Sequence, residues 1–202
     1  MTLWRGKNTL ILASQSRARQ TLLANAGISF EAVPAEIDER AVQQASNLSA
    51  PGDIAALLAR EKSLSVSSRL TGRLVVGADQ TLALGPRLFS KPADRAQAAE
   101  QLSALAGRTH ELHSGVAVAR DGKTLFADAS SARMTMRRLG EAEIDAYLDE
   151  AGEAVTSSVG AYQLEGLGVH LFERIEGDHF TILGLPLLQL LAFLRSERLL
   201  GV

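Results

Sequence analysis

Two groups of residues in this chain could act together on a phosphate. The segment Leu10-Ile11-Leu12-Ala13-Ser14-Gln15-Ser16-Arg17-Ala18-Arg19 is a short apolar run that stops at two serines and passes at once into a helical pattern carrying two arginines. A strand feeding straight into a helix leaves unpaired backbone N–H groups at the helix start, where the dipole also favours an anion. Ser14 or Ser16 can cap that helix, and Arg17 and Arg19 add fork-shaped cationic donors suited to phosphate. The alternative is a capped surface helix with its arginines in water. The second group centres on an acid. Asp79 ends the apolar run Val75-Val76-Gly77-Ala78 and is followed by Gln80. A carboxylate at the carboxyl end of a buried strand sits where α/β folds place ligands; the bland reading is a cap on the next turn.

Three further segments carry candidate chemistry. Lys91 precedes Pro92, and a helix started by that proline lets the ammonium face an anion at the same end. Glu36, Asp38 and Glu39 form a carboxylate cluster that either ligates a divalent cation of the magnesium or manganese type or is a solvated loop. The run from Gly160 to Gly168 is rich in glycine, which lets backbone approach a ligand, and its Gln163 and Glu165 offer hydrogen bonds to a base. A plain glycine turn is the other reading.

These residues need elements to hold them. Leu10–Ala13 reads as a buried strand, Arg17–Ala26 as a helix and Phe30–Pro34 as a second extended piece. A long helix starts at Pro51, a central strand covers Leu74–Ala78, and Pro92–Leu105 reads as a helix. Asp121-Gly122 between Glu111–Ala119 and Thr124–Arg133 is a strong hairpin signal. Glu141–Leu148 follows as a helix, Val159–Gln163 and Val169–Ile175 as extended segments, and Leu185–Leu200 as a leucine-rich helix that is either core or the surface of a homodimer. The mixture implies an α/β fold with a mixed sheet and flanking helices. The 202 residues make one domain, without repeats, low-complexity stretches or a clear linker.

Composition narrows the class. A formal net charge of -2 gives no electrostatic draw towards nucleic acid or a membrane surface. With no cysteine, disulfides, thiolate metal sites and a cysteine nucleophile are excluded. No signal peptide or spanning segment is evident, so a cytoplasmic protein is expected. The four histidines follow no metal-ligand spacing.

In order along the chain, Leu12-Ala13-Ser14-Gln15-Ser16 with Arg19, Glu36-Ile37-Asp38-Glu39, Ala59-Arg60-Glu61-Lys62, Gly77-Ala78-Asp79, Lys91-Pro92, the Gly160–Gly168 turn and Gly184-Leu185-Pro186-Leu187 resemble the Maf family of nucleoside triphosphate pyrophosphatases over nearly the whole length. The resemblance implies a fold related to inosine triphosphate pyrophosphatases, with two lobes around a cleft. It also implies metal-dependent hydrolysis of the α–β phosphoanhydride of a nucleoside triphosphate, with magnesium or manganese as cofactor. By that resemblance Asp79 is the proton acceptor and a metal ligand, with Glu36 and Asp38 as further candidate ligands. Ser14, Ser16, Arg19, Lys62 and Lys91 bind phosphate. The family name is also linked to inhibition of septum formation, which gives a nucleotide-sensing protein of cell division as the alternative.

Base preference rests on departures within that pattern. The family usually reads Ser-Pro-Arg-Arg in the first turn, whereas this chain has Ser16-Arg17-Ala18-Arg19, so Ala18 occupies a position used to choose the base. Gln80 and Glu165 resemble the branch acting on 7-methylguanosine triphosphate more than the thymidine and uridine triphosphate branch. A carboxylate at Glu165 can accept from the guanine N1–H and amino group and offset the charge of a methylated ring. Ala18 lacks the tryptophan usual in that branch.

Overall fold

The computed structural model describes residues 3–201. Its sheet has the order β2-β1-β3-β5-β6-β7, with β4 pairing β3. The strands are β1 (Leu10–Leu12), β2 (Phe30–Ala32), β3 (Val75–Leu84), β4 (Arg87–Phe89), β5 (Thr109–Arg120), β6 (Lys123–Met136) and β7 (Phe172–Glu176). β1 runs parallel to both β2 and β3, while β3–β4 and β6–β7 are antiparallel. The expected mixed sheet with flanking helices is therefore present. Asp121 and Gly122 both take positive φ, 51° and 70°, the twist that a two-residue hairpin demands.

The chain divides into two compact units. The first comprises Met1–Gln80, Ser114–Ser130 and His179–Val202; the second comprises Thr81–His113 and Ser131–Asp178. In the first, α1 (Arg17–Asn25), α2 (Glu39–Ser46), α3 (Pro51–Ser67), α6 (His179–Ile182) and α7 (Leu187–Ser196) accompany the strands. Its main core joins Leu10, Leu12, Leu23, Val76, Val116 and Val118 to Leu185, Leu190 and Leu194. Leu187, Leu190 and Leu194 of the last helix thus serve as core, because they complete the apolar face of the sheet, while Leu188 is exposed. On Gly77 and Gly115 the α3 backbone lies directly: a Cβ at Gly77 would collide with the Ala59 carbonyl, and one at Gly115 with the Ala55 carbonyl. The second unit holds α4 (Arg95–Leu105) and α5 (Glu141–Ala151), which bury Leu102, Leu105, Ile144 and Leu148. No helix among the described residues is long and apolar enough to cross a membrane.

Several boundaries differ from the sequence reading. α4 begins at Arg95 rather than Pro92, because the Asp94 carboxylate accepts from Gln97 N at 2.8 Å and fixes the cap there. Val159–Gln163 is not extended; Val159–Ala161 forms a 3-10 turn with Gly160 at φ 79° and Ala161 at φ 61°. Leu167–Leu171 is also a 3-10 turn, which leaves Phe172–Glu176 as the strand of the expected Val169–Ile175 segment. The C-terminal leucine helix spans Leu187–Ser196, preceded by Pro186 and the short α6. Helix α2 was not anticipated, although Asp38 ahead of Glu39-Arg40-Ala41 is an N-cap signal.

Candidate active site

The connections leave β1 towards β2 on one side and reach β3 on the other, so the carboxyl end of β1, where it pairs with Val75 and Val76 of β3, adjoins a switch point of the topology. β1 stops at Leu12, opposite Val76, and β3 runs on past it. Ser14, just beyond the end of β1, and Asp79, within β3, are both buried, 8% and 6% exposed.

Asp79 lies on the strand face shared with Gly77, under α3. Lys62 of α3 donates from Nζ to Asp79 Oδ1 at 2.5 Å and reaches Glu39 Oε1, on the first residue of α2, at 2.7 Å. The absence of a side chain at Gly77 brings the helix close enough for that reach. Burial pushes the Asp79 carboxyl above its ordinary value, the Lys62 ammonium and then the Arg19 guanidinium pull against that push, and Glu39 adds to it. The result is a carboxylate held by two cations in a poorly hydrated place, the setting in which an acid becomes a stronger base.

Ser16 caps α1, as the sequence suggested, while Ser14 Oγ takes the Ser16 N–H at 3.3 Å and the Arg19 Nη1–H at 3.1 Å. Arg19 also donates from Nη1 to the Ala78 carbonyl at 2.7 Å and from Nε to the Gly184 carbonyl at 2.8 Å. Three of its five N–H groups are thus committed, and among the described residues nothing takes the two on Nη2, which are left for a ligand. Burial lowers the Arg19 guanidinium from its ordinary value, opposed by Asp79 and Glu39. Ala18 is half-buried, and Arg17 is exposed.

The other sequence candidates stand as follows. Glu36 pairs with Arg69 at 3.0 Å, and Asp38 accepts from Ala41 N at 3.0 Å as the cap of α2, so of the three clustered carboxylates it is Glu39 that joins Asp79 through Lys62. No group of three or more His, Cys, Asp or Glu placed to hold a metal occurs among the described residues. Gln80 directs its amide nitrogen at the Ser114 hydroxyl and at the Thr181 and Ile182 carbonyls. Ser114 and the 181–184 carbonyls were missed by the sequence reading; single polar residues on a strand and backbone oxygens carry no pattern of their own.

In the second unit, Lys91 is exposed, outside the helix it was expected to precede. Gln163 Nε2 donates to Ser157 Oγ at 2.7 Å, and Glu165 is exposed on the turn that follows. Beneath that turn, Tyr162 and His110 share a buried hydrogen bond of 2.7 Å between Oη and Nε2. Burial pushes the His110 imidazole down to about 4, which keeps it neutral.

A buried carboxylate within β3 gripped by lysine, beside a serine–arginine helix start, agrees with the family pattern, and the family model described as Maf-like protein matches residues 9–197. The chain belongs to the Maf family. Among relatives of this Maf protein, a "Nucleoside triphosphate pyrophosphatase" of Rhodopseudomonas palustris is 71% identical over 202 residues, covering 100% of both chains. A "7-methyl-GTP pyrophosphatase" of Brucella abortus is 51% identical over 191 residues, 94% of this chain and 96% of the relative. A solved HAM1 protein of Coxiella burnetii superposes with a TM-score of 0.42 at 18% identity, covering 65% of this chain and 74% of that one.

Proposed function

We propose that this Maf protein hydrolyses the α–β phosphoanhydride of a nucleoside triphosphate, releasing the monophosphate and pyrophosphate. The observation that carries the reading is the buried Asp79 carboxylate, ion-paired to Lys62 and adjoining Arg19. The pyrophosphatase names of relatives at 71% and 51% identity support it.

Water is a poor nucleophile, and Asp79 accepts its proton as it attacks phosphorus. Burial raises the basicity of the carboxylate for that task, while Lys62 and Arg19 favour its ionised form. Charge spreads over phosphate oxygens in the transition state, and the Nη2 edge of Arg19, Lys62 and the hydroxyls of Ser14 and Ser16 are suited to meet it. Two carboxylates converging on one ammonium make a hard-oxygen donor set, and magnesium or manganese is commonly held by one or two carboxylates completed by substrate phosphates. Asp79 and Glu39 would hold such a cation. When bound, it supplies polarisation of the phosphoryl group and stabilises the leaving pyrophosphate.

For the base, the reading is a modified purine nucleotide such as 7-methylguanosine triphosphate. Its support is Glu165, an exposed carboxylate able to accept hydrogen bonds from the guanine N1–H and amino group, and the name of the Brucella relative. The test is pyrophosphate release from a panel of triphosphates with magnesium or manganese. Faster turnover of 7-methylguanosine triphosphate supports the assignment, and a clear preference for thymidine and uridine triphosphates overturns it. Nucleotide binding without any pyrophosphate release overturns the enzyme reading in favour of a sensor.

A further inference from the structure

Gln80 follows the proposed base directly, yet its side chain is turned to the other face of β3. Its Nε2 lies 3.0 Å from Ser114 Oγ, 3.1 Å from the Thr181 carbonyl and 2.9 Å from the Ile182 carbonyl. Carbonyl oxygens only accept, so the atom facing them is the amide nitrogen, and its two N–H groups are both engaged. The Ser114 hydroxyl donates to the same Thr181 carbonyl at 2.7 Å, which leaves its oxygen to accept from Gln80. Ser114 and Thr181 are 0% exposed, so water has no access to replace either partner.

The Thr181 carbonyl also accepts from Gly184 N at 3.1 Å, closing the turn that ends α6. At Gly184 the chain takes φ +87°, and a Cβ there would stand 3.2 Å from Arg19 Nε. The Gly184 carbonyl in turn receives the Arg19 Nε–H at 2.8 Å. A path of hydrogen bonds, joined across the backbone of Gly184 from its N–H to its carbonyl, thus runs from Gln80 and Ser114, through the Thr181 carbonyl, to the guanidinium. Ala78 and Gln80 flank Asp79, and the Ala78 carbonyl is a second anchor of the same guanidinium.

We propose that Gln80 and Ser114 are positioning residues that hold the 181–184 turn as a fixed backstop for Arg19. The inference rests on the phosphate-binding reading of Arg19 and deepens it. The turn fixes the Nε edge, so the Nη2 edge presents its two N–H groups in one direction instead of sampling rotamers. Gln80 then affects substrate handling by geometry, with its amide donors spent inside the protein.

Two variants test this, Ser114→Ala and Gln80→Met, with two readouts. The first is the NMR signal and exchange rate of the Arg19 Nε–H, identified by its loss in Arg19→Met. In the intact protein this proton is protected by the Gly184 carbonyl, and both variants should broaden the signal or speed exchange about tenfold. The second is steady-state hydrolysis: loss of one buried hydrogen bond corresponds to a rise in KM of about fivefold, with kcat within about twofold. In an Arg19→Met background the effect of Ser114→Ala should shrink below about twofold, since the residue it acts through is gone. An Arg19 Nε–H unchanged in both variants overturns the proposal whatever the activity, as does a KM effect that persists without Arg19. A responsive Nε–H in a protein that releases no pyrophosphate keeps the backstop and overturns the hydrolase reading alone.

Discussion

Replacing Lys62 by Met probes the ion pair on which the proposed chemistry depends. The ammonium sits 2.5 Å from Asp79 Oδ1 and 2.7 Å from Glu39 Oε1, with its side chain 12% exposed. Removing one partner of a buried pair costs about 3–5 kcal/mol, because the remaining charge is left in a medium that solvates it poorly. Two features hold the cost near the lower end. Arg19 still acts on Asp79, and Glu39, about half exposed, returns to water. A loss of about 3 kcal/mol at neutral pH is expected, well below the total stability of an ordinary domain. The sign of its pH dependence follows from Asp79. The folded carboxyl is already raised, so its contribution favours the native state at acid pH and fades as pH rises through the folded value. Without Lys62 that value rises further. The stability deficit of Lys62→Met should therefore be largest at neutral pH and shrink on acidification, once Asp79 binds a proton and no longer needs a counter-charge. Urea unfolding followed by circular dichroism across that range measures it, with Asp79→Asn and the double variant completing a cycle. A deficit that is flat with pH, or undiminished when position 79 is Asn, refutes the reasoning.

Asp79→Asn should abolish pyrophosphate release and leave nucleotide affinity within about threefold, checked by calorimetry; normal turnover removes Asp79 from the mechanism. Gly77→Ala, which sets a Cβ against the α3 backbone, should destabilise by about 2 kcal/mol or more and lower turnover through displacement of Lys62, read by denaturation and steady-state rates. His110 titrates near 4 when folded, below its ordinary 6.5, so the stability it contributes is present above pH 6.5 and is lost as pH falls towards 4, by about 3 kcal/mol at most. His110→Phe should flatten that acid limb in urea titrations, and an unchanged limb would assign the loss to other groups.

Local chemistry made part of this legible in the sequence. The strand–serine–helix start needs only residues 10–19, and the hairpin needs only Asp121-Gly122; both were found where expected. The acid after the apolar run was legible as a residue, but the strand was read as ending at Ala78, whereas β3 continues to Leu84 and holds Asp79 in its middle. What was misread or left open depended on distant contacts. Glu36, Asp38 and Glu39 are indistinguishable as sequence, and only the cap at Asp38 and the course of α3 decide that Glu39 meets Lys62. The Val159–Ala161 turn looked extended because its positive φ values are imposed by packing, with Gly160 set against Leu82 and Tyr162. The engagement of Gln80 involves carbonyls a hundred residues away and left no local signature.

The two glycines under α3 have a bearing on how this protein can vary. Because helix and sheet meet backbone to backbone at Gly77 and Gly115, the helix is seated by main-chain shape, and no choice of rotamer can take up a misfit. The register of Lys62 against Asp79 is thereby insulated from the outward surface of the same helix, where Arg60 is exposed and Glu61 only half-buried. That surface is free to drift, acquire charge or be redesigned, while the two glycines and the small residues facing them are not. A library randomised along α3 should accordingly divide into a tolerant outer stripe and an inner one that accepts almost nothing larger than alanine at positions 55 and 59.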